Sequence, residues 1–154
     1  MDRATVGWLW VAAQVVLLGA LIFWPASNDW PTPGWLLAIA SILFFAGLGL
    51  IAVAALGLGT SLTPTPVPTA RGSLQTGGLY RFVRHPIYTG VLIVVVAMTL
   101  RSGSWIHLTI AVITVIFFDR KAAWEEQQLI ERFADYPTYV QRTPKFVPFS
   151  KGNP

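Results

Sequence analysis

At 154 residues the chain has the length of one domain, yet 54% of it is hydrophobic and only 12% charged, which excludes an ordinary water-soluble domain. The formal charge of +4 does not indicate nucleic acid, because the basic residues flank apolar runs instead of forming a stripe among exposed aromatics. With no cysteine there are no disulfides, thiolate nucleophiles or cysteine metal sites, and the redox compartment stays open; seven tryptophans suit a boundary between hydrocarbon and headgroups.

From Val6 to Trp24 the chain is uncharged for about 19 residues, enough at roughly 1.5 Å per residue to cross a hydrocarbon core. A cleaved signal peptide is the competing reading, but the run is long for one and no small-x-small site follows. Within it, Gln14 is expected to hydrogen-bond between helices. Pro25 to Gly34 (PASNDWPTPG) is a loop of turn formers. Trp35 to Leu58 is a second uncharged span, and its glycines at 47, 49, 57 and 59 suit close helix packing; no strand-turn-helix context makes them a nucleotide loop.

Residues 60–78 (TSLTPTPVPTARGSLQTGG) are rich in Pro and Thr, which excludes a regular helix and favours an extended path, and this longest connection is expected to be functional. Pro86 opens the next helix, since proline costs nothing in a first turn. Ile87 to Leu100 is apolar but short for a crossing, and Arg101 to Ser104 is a tight break. Trp105 to Phe118 is a second short apolar run that passes without Pro or Gly into DRKAAWEEQQLIERFADY, so one long helix is expected to leave the bilayer, with Trp124 at the interface and Glu125 and Glu126 at its edge. Pro137 and then TPKFVPF are expected to end regular structure.

If four helices cross, Arg3, the loop with Arg71, Arg81 and Arg84, and the tail with Arg120, Lys121, Arg132, Arg142, Lys145 and Lys151 fall on one side, and Arg101 alone on the other. The positive-inside rule places both termini in the cytoplasm, in an inner or plasma membrane. The expected fold is therefore an all-α integral membrane protein. It has a four-helix transmembrane bundle, a short hairpin of the third and fourth helices, and a cytoplasmic pocket. Residues 1–60 supply two N-terminal helices and 61–154 the chemistry-bearing half.

Two clusters meet on that side: GGLYRFVRHPIYTG at 77–90, and WEEQQLIERF at 124–133 followed by Tyr136, Tyr139 and PKFVP at 144–148. A helix opening at His85-Pro86 offers unpaired N–H groups and a positive dipole end, to which Arg81 and Arg84 add charge, so that end suits a carboxylate or phosphate. Paired carboxylates opposite suit an ammonium or sulfonium. A zwitterionic, cationic small molecule satisfies both.

The run from Gly78 to Gly90, with Arg84, His85, Pro86, Tyr88 and Gly90 as R-H-P-x-Y-x-G, resembles the first cofactor motif of isoprenylcysteine carboxyl methyltransferases and phospholipid N-methyltransferases, and Glu125-Glu126 resembles their second. The resemblance covers residues 74–149. It implies S-adenosylmethionine held by Gly78, Tyr80, Arg84, His85, Tyr88, Glu125 and Glu126, with Glu126 and Arg132 as catalytic residues and Arg132 orienting an acceptor carboxylate. It also implies a lipidic or prenylated small-molecule acceptor drawn from membrane lipids, with no metal. Methyl transfer needs chiefly alignment and desolvation. The family's F-G-x-x-Y-x-x-Y is one residue shorter here, from Phe133 to Tyr139, which leaves Tyr136 and Tyr139 without assigned roles.

Plainer readings stand beside these. Arg81 and Arg84 suit snorkelling anchors, and His85 a helix cap. Glu125 and Glu126 suit a solvated face paired with Lys121 or Arg132, and the tyrosines suit belt residues. His107 reads as an interfacial side chain beside Trp105. Three competing functions also remain at this level. One is phospholipid amine methylation. Another is a nicotinamide-dependent reductase, since sterol reductases carry a similar R-H-P-x-Y, although with Asn where Ile87 stands and an acid where Val91 stands. The third is a non-enzymatic membrane subunit. Oligomeric state is not set by the sequence.

Overall fold

A computed structural model of the chain describes residues 2–67 and 73–148. Arg71 and Lys151, counted above among the cytoplasmic basic residues, lie outside the described residues. Among those described, the regular structure is helical throughout: α1 (Arg3–Phe23), α2 (Gly34–Leu58), α3 (Pro86–Ser102), α4 (Trp105–Arg132) and α5 (Tyr136–Arg142), with single 3₁₀ turns at Gly59–Ser61 and Gly78–Arg81.

Local chemistry sets each boundary. α1 begins at Arg3, a turn before the apolar run, because the Asp2 carboxylate accepts the Thr5 N–H at 2.9 Å and so caps the helix. Pro86 occupies the first turn of α3, as expected. At 28 residues α4 is the long helix anticipated, about 42 Å from end to end. Two expectations at its far end are corrected. α4 stops at Arg132, where Phe133 turns to extended backbone, and does not run on to Tyr136. Pro137 then sits in the first turn of α5 and helps start that helix, because a residue at that position owes no N–H to the helix.

The N-terminus of α1 and the C-terminus of α4 meet at one end of the molecule, marked by the exposed Arg3–Glu131 ion pair at 2.6 Å. At the opposite end the α1–α2 loop grips the α3–α4 turn. Gly103, at φ 57°, accepts at its carbonyl the N–H groups of Asp29 (2.6 Å) and Trp30 (3.3 Å). Asp29 in turn accepts the Trp105 N–H at 2.8 Å, so a residue from another loop caps α4. His107, in the first turn of α4 two residues after Trp105, is only 4% exposed and so packs inside the protein.

α2 and α3 form the most intimate pair. A Cβ built on Gly47 would lie 2.8 Å from the Gly90 carbonyl oxygen, and one on Gly90 would lie 2.8 Å from that of Gly47 and 2.7 Å from the Ile51 side chain. Gly47 thus has the close-packing role read from the second span, whereas Gly49 meets nothing within 4 Å. Gly90 serves the same crossing. Leu21, Val95 and Ala111, from α1, α3 and α4, form the central apolar cluster. Outward, α1 and α2 are long and apolar enough to cross a membrane, and they present Phe23, Leu56 and Phe45 at 70–85% exposure. Side chains of that kind facing outward on all-round apolar helices belong against lipid.

The crossing gives a direct check. Gly47→Ala is expected to destabilise the protein by about 1–3 kcal/mol through overpacking, whereas Gly49→Ala is neutral or slightly stabilising. Denaturation of both variants in the same detergent compares them.

Candidate active site

The two sequence clusters come together at the end of the molecule where α1 begins and α4 ends. Gly78, at φ 57°, takes a backbone conformation that favours glycine and opens the 3₁₀ turn carrying Tyr80. Tyr80 is buried, with its hydroxyl donating to the Ala54 carbonyl at 3.3 Å, and its own carbonyl accepts the Tyr139 hydroxyl. Tyr139 therefore ties α5 to this turn.

Arg84 is buried and engaged through Nε and Nη1. Its Nε donates to Glu126 Oε1 at 2.8 Å, and its Nη1 donates to the carbonyls of Val140 (3.2 Å) and Thr143 (2.5 Å). His85 Nε2 lies 2.9 Å from the same Glu126 oxygen, and the His85 ring stacks on Tyr88 at 2° with centroids 5.2 Å apart. Tyr88 donates its hydroxyl to Glu125 Oε2 at 2.6 Å. Glu126 thus meets Arg84 and His85, whereas Glu125 meets Tyr88 and, at 3.9 Å, the other ring nitrogen of His85. The segment after α5 runs alongside: Arg84 N–H donates to the Pro144 carbonyl (2.8 Å), His85 N–H to that of Lys145 (3.1 Å), and the Thr89 hydroxyl to that of Phe146 (2.9 Å). His85 occupies the capping position of α3 but makes no side-chain capping bond; its ring is committed to Glu126.

This arrangement changes the expected division into a positive and a negative wall. The N–H groups of Arg84 and His85 are taken by the chain's own carbonyls and Arg84 is neutralised by Glu126, which leaves the first turn of α3, with Ile87 and Tyr88 in the cavity wall, as the remaining part of the expected positive side. Beside this network lies a cavity of about 250 Å³, walled by the Pro-rich Thr63–Val67 stretch on one side and by Tyr80, His85, Tyr88, Glu125 and Tyr136 on the other. Glu125 faces the cavity, whereas Glu126 and Gly78 stand behind its lining. Arg132 is exposed at the end of α4, its guanidinium 5.4 Å from the Phe133 ring; Phe133 lines the cavity and Arg132 does not.

The sequence reading passed over two members of the wall. Lys121, counted only as a topology marker or surface partner, is 3% exposed, lines the cavity and donates to Gln14 Oε1. Its position four residues before Glu125 was the available signal. Tyr136, 1% exposed, brings to the lining a hydroxyl with no hydrogen-bond partner among the described residues. Burial holds the hydroxyls of Tyr80, Tyr136 and Tyr139 protonated, well above the usual phenol range.

For Glu126, burial alone would raise the carboxyl, but the hydrogen bonds and charges of His85 and Arg84 outweigh it and bring the pKa down to about 2 from 4.5. A depressed carboxyl stabilises the fold fully above the unfolded value and loses that contribution as pH falls through the folded one. Thermal stability in detergent is thus expected to hold from neutral pH to about 5 and to drop between 4.5 and about 2. Glu126→Gln should melt lower at neutral pH and show a shallower acid drop, as followed by tryptophan fluorescence.

With this geometry in hand, the chain can be set beside known proteins. Over 78 residues it is 37% identical to methanethiol S-methyltransferase 1 of Bradyrhizobium diazoefficiens, covering 50% of this chain and 27% of that one. It is also 37% identical over 78 residues to protein-S-isoprenylcysteine O-methyltransferase B of Arabidopsis thaliana, covering 49% and 40% of the two chains. The eukaryotic intramembrane Ras methyltransferase, an isoprenylcysteine carboxyl methyltransferase, shares the fold at a TM-score of 0.70 and 21% identity, over 98% of this chain and 52% of that one. The chain thus spans well under two thirds of the length of each of these proteins. The sequence profile of the phospholipid methyltransferase family matches residues 35–136, from the start of α2 into α5, and the chain belongs to that family.

Proposed function

We propose that the protein is a membrane-embedded, S-adenosylmethionine-dependent methyltransferase acting on a lipidic acceptor, with a carboxylate as the methylated group. In this reading α1 to α4 form a four-helix transmembrane bundle in an inner or plasma membrane, with both termini and the cavity on the cytoplasmic side. Residues 1–60 supply the first two spans and residues 61–154 the catalytic half.

The observation that carries the proposal is a single cavity into which the R-H-P-x-Y segment and Glu125 both open. Its chemistry suits the cofactor. The Glu125 carboxylate, fixed by Tyr88, is a counter-charge for an ammonium or sulfonium, and the Tyr136 hydroxyl, without a partner among the described residues, offers a hydrogen bond to a ligand. The volume of about 250 Å³ is close to the lower end of small-molecule sites, which begin at roughly 300 Å³.

When bound, S-adenosylmethionine supplies an activated methyl group on a sulfonium. The protein's own part is to align and to dry the site. Tyr88 orients Glu125 toward the cavity, while Glu126 fixes Arg84 and the His85 ring from behind. Gly78 and Tyr80 set the turn that carries these residues, and the Thr63–Val67 stretch covers the cavity against water. Arg132, adjacent in sequence to the cavity-lining Phe133, is assigned to the acceptor carboxylate. The named relatives methylate different nucleophiles, and so they support the shared transfer step more strongly than the choice of acceptor.

Calorimetry on the detergent-solubilised protein is expected to show binding of S-adenosylhomocysteine and none of NADPH. With radiolabelled methyl donor, label should pass to N-acetyl-S-farnesylcysteine; label on phospholipid amines in native membranes would move the acceptor to that class. Glu125→Gln should weaken S-adenosylhomocysteine binding by about 10- to 100-fold, as for loss of a charge-assisted hydrogen bond. Binding of NADPH instead, or intact protein that labels nothing, would sink the reading.

A further inference from the structure

Resting on that reading, we propose that Lys121 is the carboxylate-binding residue of the cavity, and that Lys121 and Glu125 together clamp an α-amino-acid zwitterion. Lys121 stands one helical turn before Glu125 on α4, and both side chains line the cavity. Its ammonium donates to the Gln14 side-chain carbonyl of α1 and lies 5.2 Å from the centroid of the Tyr88 ring and 5.7 Å from that of Phe118. Among the described residues no carboxylate lies within 4.0 Å of it.

A charge at 3% exposure held by one neutral amide, two ring faces and only the longer-range attraction of Glu125 is under-compensated, since buried ions are normally paired in direct contact. The other cationic candidates in the wall are committed. Arg84 is held by Glu126 and two backbone carbonyls, and His85 by Glu126. The N–H groups of Arg84 and His85, just before α3, already donate to Pro144 and Lys145. Lys121 is therefore the cation left facing the cavity among the described residues. The Gln14 oxygen occupies one of the positions around it that a carboxylate oxygen would take. Glu125, fixed by Tyr88, supplies the opposite charge for an ammonium.

Two molecules in this reaction carry a carboxylate, the amino-acid end of the cofactor and the acceptor, and the measurement separates them. Wild type, Lys121→Met and Gln14→Glu are titrated with S-adenosylhomocysteine and with its decarboxylated analogue, and KM is measured for N-acetyl-S-farnesylcysteine. Gln14→Glu gives Lys121 an internal carboxylate while keeping the lysine, so it tests the site even if Lys121→Met does not fold. Wild type is expected to prefer S-adenosylhomocysteine by about 10-fold or more, the value of one charge-assisted contact. Both variants should lose that preference while binding the decarboxylated analogue as wild type does. Unchanged cofactor preference with a KM raised at least 10-fold assigns the same site to the acceptor carboxylate. Variants that keep both the preference and the KM of wild type overturn the assignment of Lys121 and leave methyl transfer itself standing.

Discussion

One carboxylate oxygen organises this end of the molecule. Glu126 Oε1 accepts from Arg84 and meets His85, two consecutive residues just before α3, and so locks the start of α3 to the C-terminal half of α4. The rest of the site follows from that lock. With His85 fixed, its ring supports Tyr88, Tyr88 orients Glu125, and Arg84 has donors left for the carbonyls of Val140 and Thr143, which bring in α5 and the segment beyond it. A buried carboxylate shared between two nitrogen bases is stable only as a completed set, because removing one partner strands the remaining charge. Glu126 is thus better described as the keystone of the site than as a surface for ligand.

The opposite constraint comes from the apolar region, where packing and not charge fixes the geometry. Gly47 and Gly90 let α2 and α3 touch backbone to backbone, and this sets where α3 starts relative to the end of α2. The start of α3 carries the R-H-P-x-Y segment, and the end of α2 leads into the Pro-rich stretch that closes the cavity. At the distant end, the Asp29 cap on α4 and the Gly103 turn fix the hairpin of α3 and α4. A helix of 28 residues without proline or glycine carries that register to Glu125 and Glu126.

Much of this was legible in the amino-acid order. Apolar runs located the helices, and the charge change after Phe118 marked where α4 turns polar. The R-H-P-x-Y run and the glutamate doublet, singled out as two clusters, do come together beside one cavity. Partner choice was not legible. Arg84 and Glu126 were read as opposite walls for a ligand, yet they satisfy each other, because two complementary charges within reach in a buried setting pair more readily than they wait. Lys121 resembled a topology marker because an ammonium near the end of an apolar run usually reaches water; here the Gln14 amide and two aromatic faces hold it inside. Pro137 was read as a stop, since proline ends and begins helices by the same chemistry and only the following turn decides between them.

The stretch from Pro144 to Phe146 accepts three hydrogen bonds from the start of α3, and every acceptor is a main-chain oxygen. What must be preserved there is first a route through space, which two side chains help to hold: Lys145 Nζ donates to Asp119 Oδ1 at 2.8 Å, and the Phe146 ring lies 6.0 Å from that of His85. Shortening the stretch by one position would misalign all three acceptors at once.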